Sequence, residues 1–298
     1  MKFALAINAK AGSGKATRIS DRIQDELIAR GHTAEVLKAD SPTAMSSLLE
    51  ETVQTTTLNG VVAVGGDGLA HLVINACAET QTPMYTVPAG TGNDFARTNN
   101  PLSTDAKIIV DRLVAERPHV IDLARITYSR DGEQQSQSFG QVLSTGFDSL
   151  VNRRANRLKI IKGQMKYNIA TLLELPLFRP INYEIELDGK HISTPAMLVA
   201  IANGPTYGGG MKILPEADRH DGLIDVLILK PVSKFELLRV FPRVFKGTHI
   251  THPAVEIHRV RSVTLRANAL AYADGEYISE LPITVEAIPN ALRTWEYA

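Results

Sequence analysis

The sequence predicts an α/β protein in two parts: an N-terminal parallel sheet with helices on both faces, then a mainly antiparallel β-sandwich domain. Three observations carry this expectation. Up to about residue 120, short apolar runs alternate with amphipathic helical patterns, as in a parallel sheet covered by helices. Beyond about residue 121, strand-like runs follow one another between turn residues, as antiparallel sheets require. The 298 residues, 44% hydrophobic and 21% charged, have ordinary globular composition and enough chain for two cores. The expected division is 1–120 and 121–287, with 288–298 returning to pack on the first domain.

In the first domain the strand and helix patterns pair as residues 3–7 with 19–29, 61–64 with 69–79, and 85–87 with a segment near 108–114. Leu69, Leu72, Val73, Ala76 and Cys77 recur at three- and four-residue spacing, which places them on one buried helix face. In the second domain, strands are expected at 185–187, 197–202, 223–229, 263–265 and 283–287. Asp188-Gly189, Asp221-Gly222 and Asp274-Gly275 supply the tight turns between such strands. The polar stretch 129–138 reads as an exposed loop.

Lys plus Arg and Asp plus Glu balance at 32 each, so no overall field draws the molecule to nucleic acid. Cys77 is the single cysteine, which excludes an intrachain disulfide and a cysteine-based zinc cluster and suits a reducing cytoplasm. The apolar run 3–7 is too short for a signal-peptide core, and 169–178 is interrupted by Glu174 and Pro176. Any membrane contact is therefore expected to be peripheral, on the inner face.

Three strand-to-helix turns are rich in small residues: Asn8-Ala9-Lys10-Ala11-Gly12-Ser13-Gly14-Lys15, Gly65-Gly66-Asp67-Gly68, and Pro88-Ala89-Gly90-Thr91-Gly92-Asn93-Asp94. At the carboxyl ends of strands in a Rossmann-like sheet such turns converge, and the helices that follow aim backbone N–H groups at the crevice. Phosphate is the expected occupant. The first turn is not a Walker A loop, because Ala9 and Ala16 stand where Gly and Ser or Thr are required. It reads equally as a flexible connector. Gly65, Gly66 and Gly68 are expected to let the backbone approach a ligand, with any added Cβ facing the site. Asp67 has two readings: a carboxylate that meets phosphate through a cation or takes a proton, or a cap of its own helix.

Gly-Gly-Asp-Gly at 65–68, followed by Pro-Ala-Gly-Thr-Gly-Asn-Asp-Phe-Ala-Arg at 88–97, resembles the diacylglycerol kinase catalytic family, which includes bacterial lipid kinases and sphingosine kinases. The resemblance continues through Gly146-Phe147-Asp148, Gly208-Gly209-Gly210, the Pro215 to Asp225 segment and Asp274-Gly275-Glu276, and so spans essentially the whole chain. It implies ATP-dependent phosphorylation of a lipid hydroxyl, with the nucleotide in a cleft between domains. It assigns nucleotide contacts to Asn8, Ala9, Lys10, Ala11, Gly12, Gly65, Gly66, Asp67, Gly68, Leu69, His71, Thr91, Asn93 and Asp94. Glu276 corresponds to the residue that such kinases use as base, with Asp67 as its catalytic companion. Asp218, Asp221 and the Leu223 carbonyl correspond to a bound-Mg2+ site, to which hard oxygen ligands are suited. From the residues alone, Glu276 reads rather as an ordinary strand residue after a turn, and Asp218 and Asp221 read nearly as well as a solvated acidic turn.

Arg153, Arg154, Arg157, Lys159, Lys162 and Lys166 are interleaved with Leu158, Ile160, Ile161, Met165 and Tyr167. Such a run is either a solvated helix face or a patch that docks on anionic headgroups. Leu72 stands where the diacylglycerol kinases commonly carry Glu, and the Leu69 and His71 pattern looks more like sphingosine kinases. Two other functions fit parts of the sequence: an NAD-kinase-like phosphotransferase, which shares the glycine loop, and a non-catalytic nucleotide-binding relative, motivated by Leu69 and Leu72.

Overall fold

An uninterrupted apolar run such as Phe3-Ala4-Leu5-Ala6-Ile7 suits a strand covered on both faces, and in the computed structural model it lies inside a parallel sheet. The structure describes residues 1–8, 14–99, 102–147, 151 and 178–296. The chain forms two units, Met1–Leu123 with Asn290–Ala298, and Ala124–Pro289.

In the first unit, β1 (Lys2–Ile7), β2 (Thr33–Lys38), β3 (Gly60–Gly65) and β4 (Met84–Pro88) run parallel in the order β2-β1-β3-β4. Alternation along the strands sends successive side chains to opposite faces. Phe3, Leu5, Ile7, Val62, Val64, Tyr85 and Val87 pack with Ile19, Ile23 and Leu27 of α1 (Lys15–Ala29) and with Ile109, Val110 and Leu113 of α5 (Ala106–Ala115). The other helices are α2 (Pro42–Thr55), α3 (Asp67–Cys77) and the short α4 (Asp94–Asn99), and α2 packs with α3. Ser41 caps α2 through Ala44 N–H, and Asp105 caps α5 through Lys107 and Ile108 N–H. Cys77 is buried on α3, as its helical spacing predicts.

The C-terminal residues of this unit are tied in by Trp295. Its indole lies edge-on to Tyr85 at 6.0 Å, and its Nε1–H donates to Glu116 O at 3.1 Å. Strand β16 (Ile283–Thr294) reaches β4 here, pairing Thr294 with Met84 in parallel.

The second unit is built from two antiparallel layers. One contains β16, β13 (Ser262–Arg266), β8 (Ile181–Leu187) and β9 (Lys190–Ala196), with β5 (His119–Arg130) and β6 (Glu133–Phe139) pairing beside β16. The other consists, in spatial order, of β12 (Val255–Val260), β11 (Ile224–Leu229), β10 (Leu198–Ala202), β7 (Val142–Gly146), β14 (Leu270–Ala273) and β15 (Glu276–Glu280). Tyr183, Ile185, Leu265 and Val285 from the first layer meet Leu143, Val199, Ile201, Val226 and Ile228 from the second in one core. The opposite face of β10 and β11 carries Leu198, Ala200 and Leu227, which pack with Val244 and Phe241 near α6 (Lys234–Val240). The 3-10 turns Phe241–Lys246 and Thr248–Thr251 follow.

The predicted α/β class and antiparallel second domain hold, and three details differ. Residues 129–136 are exposed, Gln137 is half-buried and Ser138 buried, and the stretch forms the β5–β6 hairpin rather than a loop, closed by Asp131 and Gly132 at φ 53° and 83°. Polar side chains mark it as loop-like in composition, yet its strands need only one buried face. Asp188-Gly189 and Asp274-Gly275 turn their hairpins with both residues at positive φ, as expected. Asp221-Gly222 does not, because only Gly222 (φ 72°) is left-handed and the segment leads into β11 without a hairpin. The weaker patterns of β2, β5, β6, β7, β9, β12, β14, β15, α2 and α6 go beyond the elements named from sequence.

Candidate functional site

Strand order places the switch point of the sheet between β1 and β3, since β2 lies on one side of β1 and β3 and β4 on the other. Ligands of open α/β sheets sit outside the carboxyl ends at such a point. Asn8 follows β1, Gly66 follows β3 and Ala89 follows β4, so the described parts of all three small-residue turns emerge on neighbouring strand ends.

Two of these turns are packed on each other, backbone to backbone. Ala89 N–H donates to Gly65 O at 2.9 Å, and a Cβ on Gly90 would overlap Gly66 Cα. A Cβ on Gly65 would come 2.7 Å from Leu69 Cδ2. The expectation that a Cβ at Gly65 or Gly66 would face a ligand is therefore corrected: it would meet Leu69 or Gly90. These glycines let two loops nest, which fixes both relative to the crevice.

Asp67 is the tie between the loops. Its Oδ1 accepts from Asp94 N at 2.6 Å and Phe95 N at 3.4 Å, so the carboxylate caps α4. Gly92 follows from this, because a Cβ there would run into Asp67 Oδ2. Asn93 adopts φ 55° and closes its turn by a reciprocal pair with Gly90, accepting from N at 3.0 Å and donating to O at 2.9 Å. Thr91 and Asn8 are exposed; Gly66, Asp67, Gly68 and Asn93 are half-buried; Gly65, Leu69, His71 and Asp94 are buried. The structure thus brings Gly65, Gly66, Asp67, Asn93 and Asp94 into one bonded constellation beneath an exposed Thr91. Ala9, Lys10, Ala11 and Gly12 lie outside the described residues, as do Arg153, Arg154, Arg157, Lys159, Lys162 and Lys166.

In the second unit, Glu276 is the first residue of β15 and is exposed. The turn before it is anchored by Asp274, whose carboxylate accepts from Gly140 N and Gln141 N at 3.0 Å each and from Val142 N at 3.3 Å. That anchoring was not legible in an Asp-Gly pair, which signals only a turn.

Asp218 and Asp221 lie exposed on the segment before β11. Asp218 accepts from His220 N at 3.0 Å, and Asp221 from Leu223 N at 2.9 Å. Arg259 Nε stands 3.7 Å from Asp221 and 3.1 Å from Asp225. Burial pushes the Asp225 carboxyl up, and Arg259 opposes that rise. Among the described residues no group of three or more His, Cys, Asp and Glu side chains is gathered to hold a metal. Two carboxylates and a carbonyl are nonetheless hard oxygen donors of the kind Mg2+ takes, water supplying the rest.

An apolar cavity opens between the outer face of β10 and β11 and the helical segment after β11. Leu198, Met211, Leu227, Leu237, Phe241 and Val244 line it. His249 stands in the same wall, 3% exposed, with Nε2 donating to Ile213 O at 2.9 Å in the tautomer that this bond requires. Its Nδ1 has no hydrogen-bond partner, and burial lowers its pKa. No sequence signal marks this cavity, because its walls are ordinary apolar residues. Among the described residues no helix is long and apolar enough to cross a membrane.

Two family models match the chain. The diacylglycerol kinase catalytic domain covers residues 2–126, and the YegS C-terminal NAD kinase beta sandwich-like domain covers 141–296. A diacylglycerol kinase of Mycobacterium tuberculosis is 36% identical over 295 residues, 98% of this chain and 94% of that protein. A diacylglycerol kinase of Bacillus subtilis is 29% identical over 228 residues, 74% of this chain and 72% of that one. Among solved structures, a diacylglycerol kinase from Bacillus anthracis aligns with a TM-score of 0.70 at 19% identity, covering 99% of this chain and 97% of that one. The yeast NADH kinase complexed with NADH aligns at 0.54 and 11% identity, covering 100% and 84%. At these identities the two structures bear on the fold alone.

Proposed function

Since the chain belongs to the diacylglycerol kinase catalytic family, we propose that it transfers the γ-phosphoryl group of ATP to the hydroxyl of a lipid such as diacylglycerol or a sphingoid base. The observation that carries this reading is the nesting of the Gly65–Gly68 and Gly90–Asp94 turns at adjacent strand ends, locked by the bonds of Asp67 to Asp94 and Phe95. A phosphate cradle must hold its donors before the ligand arrives, and a backbone-to-backbone contact does so without side-chain freedom.

In this reading the amino end of α3 and the exposed Thr91 face the nucleotide phosphates, with Asn8 at the end of the neighbouring strand. Leu69 and His71, assigned as nucleotide contacts by the resemblance, are both buried, so they would meet the nucleotide through their backbone at the amino end of α3. Glu276 accepts the proton of the lipid hydroxyl, because an alcohol is a poor nucleophile until a carboxylate takes that proton. The apolar cavity of the second unit receives acyl chain. Asp218, Asp221 and the Leu223 carbonyl hold Mg2+, which when bound supplies positive charge against phosphate oxygens. The product is a phosphorylated lipid, so the reaction belongs to phospholipid metabolism. The setting is the cytoplasmic face of the membrane, with the basic stretch 153–166 in peripheral contact.

Steady-state kinetics of Glu276→Gln test the base assignment. Nucleotide binding persists and turnover falls about 10²- to 10⁴-fold, the usual contribution of a positioned base; near-normal turnover removes Glu276 from that role. A second reading, an NAD-kinase-like phosphotransferase, is favoured by the family model matched over residues 141–296. ATP-dependent conversion of NAD to NADP, in place of lipid phosphorylation, reverses the order.

A further inference from the structure

We propose that the outward face of α6 is a bilayer-docking surface, with Phe235 and Leu238 entering the acyl boundary of an anionic membrane and Lys234 and Arg239 at headgroup level. The proposal rests on the lipid-kinase reading for its purpose, but its geometry is independent of that reading.

Phe235 is 79% exposed and Leu238 42%, three residues apart on one helix face. The other face of the same helix is also apolar: Leu237 is buried, and with Val240 and Phe241 it walls the apolar cavity. A helix in water puts polar residues on its outer side, and one that is apolar on both sides is covered on both. Here the inner cover is the cavity wall, and among the described residues none covers Phe235, which stays 79% exposed.

Charge selects the occupant. From Ser233 to His249 the chain carries Lys234, Arg239, Arg243 and Lys246 against one acid, Glu236, and Glu236 Oε1 lies 3.2 Å from His252 Nε2. A second copy of this chain meeting the patch about a two-fold axis would bring like cations together, which is repulsive. An anionic headgroup layer complements them, and an aromatic and a leucine between cations is the pattern of helices that lie in the membrane interface. Docked this way, α6 leaves the cavity about one helix diameter, ~10 Å, from the acyl chains.

The test uses the full chain and phosphatidylcholine vesicles with and without phosphatidylglycerol. Phe235→Trp supplies a second indole in addition to the buried Trp295. The emission of the introduced indole shifts to the blue on anionic vesicles and is quenched by brominated acyl chains. The Phe235→Ser/Leu238→Ser variant keeps the unfolding temperature and partitions at least ~10-fold more weakly, while Arg239→Gln loses about 5-fold on anionic vesicles only, the worth of one cation near such a surface. Vesicle binding unchanged in the double variant, or an introduced indole that brominated chains do not quench, overturns the proposal. So does an introduced indole already blue-shifted without vesicles, which would mean cover by this chain's own residues, or self-association that the double variant abolishes. If α6-dependent binding is found and no lipid is phosphorylated, the docking surface stands and the kinase reading falls. Normal phosphorylation of a short-chain, water-soluble diacylglycerol, with vesicle binding indifferent to Phe235 and Leu238, gives the reverse.

Discussion

Gly92 and Asp67 form a pair whose coupling has a definite sign. In the native protein a Cβ at position 92 overlaps Asp67 Oδ2, while Oδ1 holds the amino end of α4. Gly92→Ala alone must push the carboxylate or the loop aside, an overpacking cost of about 1–3 kcal/mol. Asp67→Ala alone removes a charge-assisted bond at 2.6 Å and a longer one at 3.4 Å, about 2–3 kcal/mol in total. Gly92→Ala in the Asp67→Ala background finds the obstruction gone and costs at least ~1 kcal/mol less than in the native background. For a unit of roughly 130 residues, each kcal/mol corresponds to about 4 °C in unfolding temperature. Thermal unfolding of the four proteins therefore shows Asp67→Ala lowered by ~8–12 °C and the double variant well above the sum of the singles. Strict additivity, or an Asp67→Ala protein as stable as the parent, would refute the tie between the two loops. Asp67→Asn keeps an acceptor for Asp94 N–H, so it should lose much less stability than Asp67→Ala.

The Cys77 thiol, pushed up to about 12 by burial, should react with iodoacetamide only on unfolding; labelling of the native protein at neutral pH contradicts its packing. His249 has a folded pKa below the ordinary 6.5, so its neutral form contributes stability that is fully present above that value. That stability is lost as pH falls from 6.5 toward the folded pKa. Urea midpoints of the parent should drop over that window more steeply than those of His249→Gln, and parallel profiles count against the assignment. Asp274→Ala leaves the N–H groups of Gly140, Gln141 and Val142 without their carboxylate, and should cost the second unit about 2–4 kcal/mol by denaturant unfolding; a loss under ~1 kcal/mol shows that the anchor is dispensable.

Much of the fold is legible because its signals are local. The run 60–65 is apolar throughout because β3 is covered on both faces, and Leu69, Val73, Ala76 and Cys77 repeat at helical spacing because α3 buries them, whereas Leu72, placed by spacing on the same face, is half-buried. Asp188-Gly189 and Asp274-Gly275 announce hairpins because few other residues accept two successive left-handed conformations. What the sequence hides is which groups meet across it. Asp67 is readable as a carboxylate near a helix start, but its partners, Asp94 and Phe95, lie 27 and 28 residues away. A pattern of residue types does not encode that distance. Gly90 and Gly92 look like ligand-facing glycines for the same reason: small residues at a turn have one appearance whether a phosphate or another backbone fills the space. The pairing of Arg259 with Asp221 and Asp225 depends on β11 lying beside β12, and the cavity beside α6 depends on apolar residues that any core would use.

Incubation of the protein with labelled ATP, Mg2+ and a total lipid extract, with the labelled product identified by mass spectrometry, tests the central claim most directly. A single class of phosphorylated lipid, formed by the parent and strongly reduced in Glu276→Gln, is the expected result. Label appearing in NADP when NAD is supplied, with no labelled lipid, or no transfer to any lipid despite tight ATP binding, contradicts it.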